Sequence, residues 1–383
     1  MGPVRESICL VALTNAVSGT ERIVASLAAE LQRRGISVGV ILPRTEALVS
    51  LGLQVAATVD RVAHIGDVTG RNTVGRSALE AFRVFRRWKP TVVHVHCPYH
   101  RWGLGVVLAA RLAGVPRVIR TEHNPLMAAP GVLPGGLLRL ADRGVSAFTY
   151  VSAGNRDRFE RLLPYRTSRG HVVWNAVSSR EFKPSDDGQA TASLMEEFGF
   201  PQGCRVAIYV GSFGHRRSIH QIVAAFRNLL NGDSAELART WRLLVVGTGP
   251  EEERQLPARF GIAGYVRFAG QRTDVAALLP NCDLFVTSSH FEGMSLSILE
   301  AWSAGLPVLA TRVDGLSDVI GEEDSKRLTV NQGDADAYAN AWLAFMKDPS
   351  DLLLAANKAR RFIRTELTLP KMVDRYLQLY QSR

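Results

Sequence analysis

No apolar run in this chain reaches the roughly 18 residues that a bilayer span requires, so no membrane-crossing helix is expected. Cysteine is scarce: Cys9, Cys97, Cys204 and Cys282 are the only 4 in 383 residues, far apart and never as Cys-x-x-Cys. That spacing excludes a zinc site built on paired thiolates and a disulfide framework, and it fits a reducing cytoplasm. His94 and His96 alternate along an apolar run, but no acidic or further histidine ligand is spaced to join them. Both read as structural, and no metal is expected. The first strand-like run, Ile8 to Leu13, follows without a charged leader and cleavage site, so no secretory signal is expected. A basic stripe interleaved with aromatics is missing as well, and nucleic acid is not an expected partner.

The chain is too long for one modest core, and its 46% hydrophobic content and 33 glycines fit two α/β domains. Its net charge of +10 is unevenly shared: residues 1–178 hold 23 Lys and Arg against 11 Asp and Glu, the remainder 23 against 25. A one-sided positive field points to an anionic partner for the first half, such as a membrane surface, a phosphorylated lipid carrier or an acidic polymer. One basic segment, Thr73 to Trp88, spaces Arg76, Arg83, Arg86 and Arg87 around Ala78, Leu79, Phe82 and Phe85 as a helix would. It reads first as a helix with its apolar side on a sheet, whose solvated basic face also suits anionic lipid.

The rest of the chain is organised around His290 to Ile320. Before it, Leu284 to Thr287 reads as a buried parallel strand; within it, Leu296, Leu299 and Trp302 keep helical spacing in a helix expected to open near Gly293. Strand, tight turn and helix N-terminus in succession aim unbonded backbone N–H groups and the positive end of a helix dipole at one point, which suits a phosphate. Gly293, Met294, Ser295 and Leu296 are the candidates for that anion site. Glu292 stands just before it and Glu300 inside the helix. Ionised carboxylates only accept hydrogen bonds, so the hydroxyls of a ribose or a hexose are their natural partners.

Glu292-Gly293 through Glu300-Ala301, with seven residues between the two acids, then Ala304-Gly305-Leu306-Pro307-Val308 and Asp314-Gly315, resembles the E-x7-E signature of the retaining glycosyltransferases of family 4, also called glycosyl transferases group 1. The resemblance implies an α/β fold of the GT-B type, two Rossmann-like doubly wound domains facing across a cleft. Residues 1–177 would then bind the acceptor and 178–366 the nucleotide sugar, with a helix of about 367–383 packing back on the first domain.

Weaker matches run through the remainder. Ser18-Gly19-Thr20-Glu21-Arg22, between the strand Ile8–Leu13 and a helix expected over Ile23–Arg34, stands where the family has Gly-Gly-x-Glu-Arg, which brings Gly19 to the donor phosphates or the acceptor. Thr121-Glu122-His123-Asn124 ends a strand where the family carries a histidine beside the anomeric carbon, and His123 takes that role. After the strand Val206–Gly211, the family pattern Gly-Arg-Leu followed by Lys-Gly puts Ser212 in the arginine's place. The lysine's place falls on Arg217 or Arg216, and a guanidinium can hold phosphate bidentately. Gly247-Thr248-Gly249 invites a dinucleotide reading, but Glu252 occupies the position of the third glycine, which argues against a nicotinamide enzyme. A short strand is expected over Leu53–Ala57, a mobile loop over Pro125–Leu138 and a hinge near 176–190.

By this resemblance the chain moves a sugar from a nucleoside diphosphate donor, UDP foremost, to a glycan, glycolipid or small-molecule acceptor. Anomeric configuration is retained and no cofactor is required. Two readings stay open beside it. One is a nucleotide-sugar epimerase of the same architecture. The other is a regulatory protein that binds the nucleotide sugar without turnover, since Ser18 and Ser212 replace family residues.

Overall fold

The computed structural model describes residues 7–14, 19–66, 74–125, 136–185, 188–214 and 217–382. They fall into two compact units, Met1–Ala176 with Leu369–Arg383, and Val177–Thr368.

Among these residues the first unit holds seven strands: β1 Ser7–Ala12, β2 Ser37–Pro43, β3 Arg61–Ile65, β4 Val92–Cys97, β5 Arg117–Glu122, β6 Ala147–Tyr150 and β7 Gly170–Val172. They form one parallel sheet in the order β3-β2-β1-β4-β5-β6-β7. Strand β4, Val-Val-His-Val-His-Cys, is buried along its whole length, as a parallel strand covered by helices on both faces must be. The strand order reverses between β1 and β4, so the chain leaves their carboxyl ends in opposite directions and opens a crevice there.

The helix Gly19–Arg33 turns Ile23, Val24, Leu27 and Leu31 to this sheet. It starts four residues earlier than apolar spacing indicates, because Thr20 and Glu21 are polar yet buried, and Glu21 accepts a hydrogen bond from Thr14 Oγ1. Leu53–Ala57 is not a strand. Thr45 caps a helix over Glu46–Ala56, its hydroxyl accepting from the Leu48 amide at 3.4 Å, and Leu48 and Val55, two turns apart, are buried. The helix Leu369–Gln381 buries Val373, Tyr376 and Tyr380 in the first unit, with Tyr380 Oη 2.6 Å from His94 Nδ1.

The second unit repeats the pattern with six described strands: β8 Arg205–Val210, β9 Trp241–Val246, β10 Val266–Gly270, β11 Leu284–Thr287, β12 Val308–Thr311 and β13 Thr329–Val330. Their order is β10-β9-β8-β11-β12-β13, again parallel, with the reversal between β8 and β11. The core is aromatic: buried Trp342 stacks on Phe226 at 5.0 Å and meets Trp241 edge-on at 6.2 Å. Truncating such a side chain costs about 3–5 kcal/mol. All four cysteines are buried free thiols. Among the described residues no helix is long and apolar enough to cross a membrane.

Candidate functional site

At the reversal of the second sheet, Gly211 follows β8 and the segment Ser288–Ser295 follows β11. Arg217 Nε donates to Glu292 Oε1 at 2.5 Å, and both side chains are largely buried. Ser289 Oγ donates to the same carboxylate oxygen at 3.2 Å. Burial works against the charge of Arg217, but Glu292 beside it more than restores that charge, holding the guanidinium above its ordinary range and fully protonated. The guanidinium lies over the backbone of Gly211, where an added Cβ would come within 2.8 Å of Nη1.

The segment carrying Glu292 is braced from three sides. The Ser289 amide donates to Thr311 Oγ1, which donates back to the Ser289 carbonyl, both at 2.8 Å. Ser288 Oγ donates to buried Gln221 at 2.9 Å, and Gln332 donates to the His290 carbonyl. Gly315, at φ +86°, lies so close that a Cβ would sit 2.6 Å from the Gly293 carbonyl oxygen. Only glycine fits there.

The helix then runs over Leu296–Ser303, three residues later than the start expected at Gly293. Gly293 and Met294 therefore belong to the loop that leads into it, and Ser295 is the N-cap. Its side chain makes no capping bond to the helix and lies instead 3.2 Å from Ser297 Oγ. The amides of Leu296, Ser297 and Ile298 are first-turn donors without an intrahelical acceptor, at the positive end of the dipole. Glu300 stands one turn further on, buried with Ile298, Leu299, Ala301 and Trp302. Ser212 is exposed, its carbonyl accepting from Tyr209 Oη at 2.9 Å. Arg216 lies outside the described residues, as do Ser18, residues 126–135 of the Pro125–Leu138 loop and residues 186–187 of the hinge.

In the first unit Gly19 opens its helix after β1, and His123 follows β5. The His123 amide donates to the Cys97 carbonyl at 2.9 Å, and Nε2 stands 3.0 Å from Nδ1 of fully buried His96. Burial pushes the His123 imidazole down to about 4, so it is neutral at physiological pH. Beside it lies a buried charge network that the sequence did not reveal. Arg120 Nε and Arg166 Nη1 each donate to Glu122 Oε1 at 2.8 Å, and Arg166 Nε donates to Asp142 Oδ2 at 2.7 Å. Two guanidinium groups thus meet two carboxylates away from solvent, which only mutual pairing makes tolerable. Its one visible signal was Arg120 and Glu122, two residues apart on a strand with buried Val118 and Ile119. The Arg217–Glu292 pair was equally hidden, because 75 residues separate its members.

The first half of this geometry, residues 17–181, matches the family model described as Glycosyltransferase Family 4, and residues 204–348 match Glycosyl transferases group 1. N-acetyl-alpha-D-glucosaminyl L-malate synthase of Bacillus anthracis is 29% identical over 303 residues, 78% of this chain and 76% of that protein. The 2-deoxystreptamine N-acetyl-D-glucosaminyltransferase of Streptomyces fradiae is 26% identical, over 94% of this chain and 88% of its own length. Among solved structures, Anabaena HepE in complex with UDP and glucose superposes with a TM-score of 0.80 at 17% identity, covering 99% of this chain and 100% of that one. This last likeness is one of fold.

Proposed function

Because this chain is a glycosyltransferase of the GT-B architecture, we propose that it transfers a hexosyl unit from a UDP-sugar to an acceptor hydroxyl with retention of configuration. The observation that carries this reading is the Arg217–Glu292 pair at the carboxyl ends of β8 and β11, next in the chain to a helix N-terminus without a side-chain cap.

As the glycosidic bond to the diphosphate breaks, negative charge grows on the departing phosphate oxygen. The Arg217 guanidinium and the first-turn amides of Leu296–Ile298, with the Gly293–Ser295 loop, are fixed donors for that charge and need no reorganisation as it appears. Arg216, the neighbouring residue in the chain, adds a second cation to them; Ser212, in the family's arginine position, contributes backbone only. Glu292 accepts from a hydroxyl of the transferred sugar, and Glu300 from the ribose. His123, neutral, hydrogen-bonds the sugar, and Gly19 lets backbone approach phosphate or acceptor. The acceptor hydroxyl attacks on the face the diphosphate leaves, which demands positioning rather than a covalent intermediate. No step in this scheme calls for a metal or other cofactor.

The acceptor belongs to the first unit. That unit holds 26 Lys and Arg against 12 Asp and Glu, while the second holds 20 against 24. Arg83, Arg86 and Arg87 are exposed on the helix Val74–Trp88. This supports an acceptor carried at an anionic membrane surface, a glycolipid or lipid-linked glycan, in the cytoplasm at the inner face of the membrane. Flotation with vesicles checks it: binding that needs anionic lipid and falls with salt supports the surface, and equal binding to neutral vesicles contradicts it.

Transfer is tested by incubating the full chain with UDP-, GDP- and dTDP-sugars and following nucleotide release with and without acceptor extracts. Acceptor-dependent UDP release, with NMR showing the donor's anomeric configuration in the product, supports the proposal. An epimerised sugar formed without acceptor would replace it by an epimerase.

A further inference from the structure

We infer that His96 is a positioning residue that fixes the tautomer of His123, so that His123 carries its proton on Nδ1. The inference rests on the proposed contact of His123 with the donor sugar.

Strands β4 and β5 are hydrogen-bonded neighbours, with His96 in register with Thr121, and the His123 amide extends that ladder to the Cys97 carbonyl. The two imidazoles are therefore set by rigid backbone, with His96 Nδ1 3.0 Å from His123 Nε2 and the rings stacked at 5.3 Å. Burial holds both well below the ordinary histidine range, so both are neutral and a single N–H lies between them.

Two arrangements are then open. If His123 Nε2 carries that proton, His96 must carry its own on Nε2. That atom is buried and has no partner among the described residues. Neighbouring His94 offers no acceptor, since its own nitrogens are engaged by Tyr380 and Thr121 and it meets His96 only ring against ring at 4.0 Å. If instead His96 donates from Nδ1, its Nε2 is a bare lone pair. A stranded N–H in a protein interior is rarer than a stranded acceptor, so the second arrangement prevails. His123 then accepts at Nε2 and presents an N–H at Nδ1, the ring nitrogen to which no described residue is bonded. His123 thereby becomes a donor toward a sugar oxygen rather than an acceptor.

Long-range 15N–1H NMR of the imidazoles in the labelled full chain reads the tautomer directly. The expected spectrum shows His123 protonated at Nδ1 and bare at Nε2 at neutral pH without any ligand; protonation at Nε2 overturns the inference. His96→Leu removes the donor, whereas His96→Asn keeps an amide N–H close to the place of Nδ1. His96→Leu should scramble the His123 tautomer and lower kcat roughly 10- to 100-fold, with His96→Asn recovering most of that loss at unchanged KM for the donor. If both variants fold, by unchanged Tm, and are equally slow, the inference is overturned. If His123→Ala leaves transfer intact while the NMR tautomer is as described, the positional effect of His96 stands and the role given to His123 falls.

Discussion

At the carboxyl end of β5 in the first unit, Arg120, Glu122, Arg166 and Asp142 close on one another, leaving little charge for a ligand. At the strand-order reversal of the second unit, one Arg–Glu pair is cradled by glycine, near in the chain to helix amides that the N-cap Ser295 side chain leaves uncapped. The strand order is nearly the same in both. What differs is how much is satisfied internally: four charges close on one another in the first, which makes a rigid platform, whereas on the reading proposed above the Arg217 guanidinium and the first-turn amides of the second also await an anion.

Breaking the first arrangement should cost stability most. Arg166→Ala strands Asp142 without a cation and leaves Glu122 only Arg120, and a loss of about 3–5 kcal/mol in urea unfolding is expected. Breaking the second should cost catalysis instead. Arg217→Ala should lower kcat about 100- to 1000-fold, with a smaller effect on unfolding than Arg166→Ala; steady-state kinetics beside a melting curve separates the two.

Acid sharpens the contrast. His123 has its folded pKa lowered to about 4 from the ordinary 6.5, and burial likewise holds His94 and His96 well below the ordinary range. Below pH 6.5 the unfolded chain binds protons that the folded one refuses. Stability is therefore full above 6.5 and falls as pH drops toward 4, by up to about 1.4 kcal/mol per pH unit for each such histidine. Hydrogen exchange at pH 5 against pH 7.5 should show the first unit losing protection before the second, whose described histidines, His220 and His290, are exposed. The smallest effect is expected from Glu300→Gln, a roughly tenfold rise in KM for the nucleotide sugar, equivalent to about 1.4 kcal/mol, at little change in kcat.

Much of the fold that carries this contrast was legible in the sequence. The uniform burial demanded by Val92–Cys97, the strand-turn-helix succession at Leu284–Ser303 and the charge asymmetry between halves are all local or compositional signals. Leu53–Ala57 was misread because alternating apolar residues also fit one face of a helix, and Thr45, eight residues upstream, decided the matter by capping. The helix after Glu292 started late because Gly315, distant in sequence, holds Gly293 and Met294 in a loop. Pairings such as Arg166 with Glu122 depend on which strands become neighbours, and no spacing rule encodes that.

Whether the second unit holds a nucleoside diphosphate through Arg217 and the amides before Glu300, as proposed, is decided by hydrogen exchange with and without UDP. UDP should slow exchange in residues 211–217 and 288–300, and Arg217→Ala should sharply weaken the effect. Tight UDP binding that leaves both segments exchanging as before, or the same protection in Arg217→Ala, would contradict the proposal.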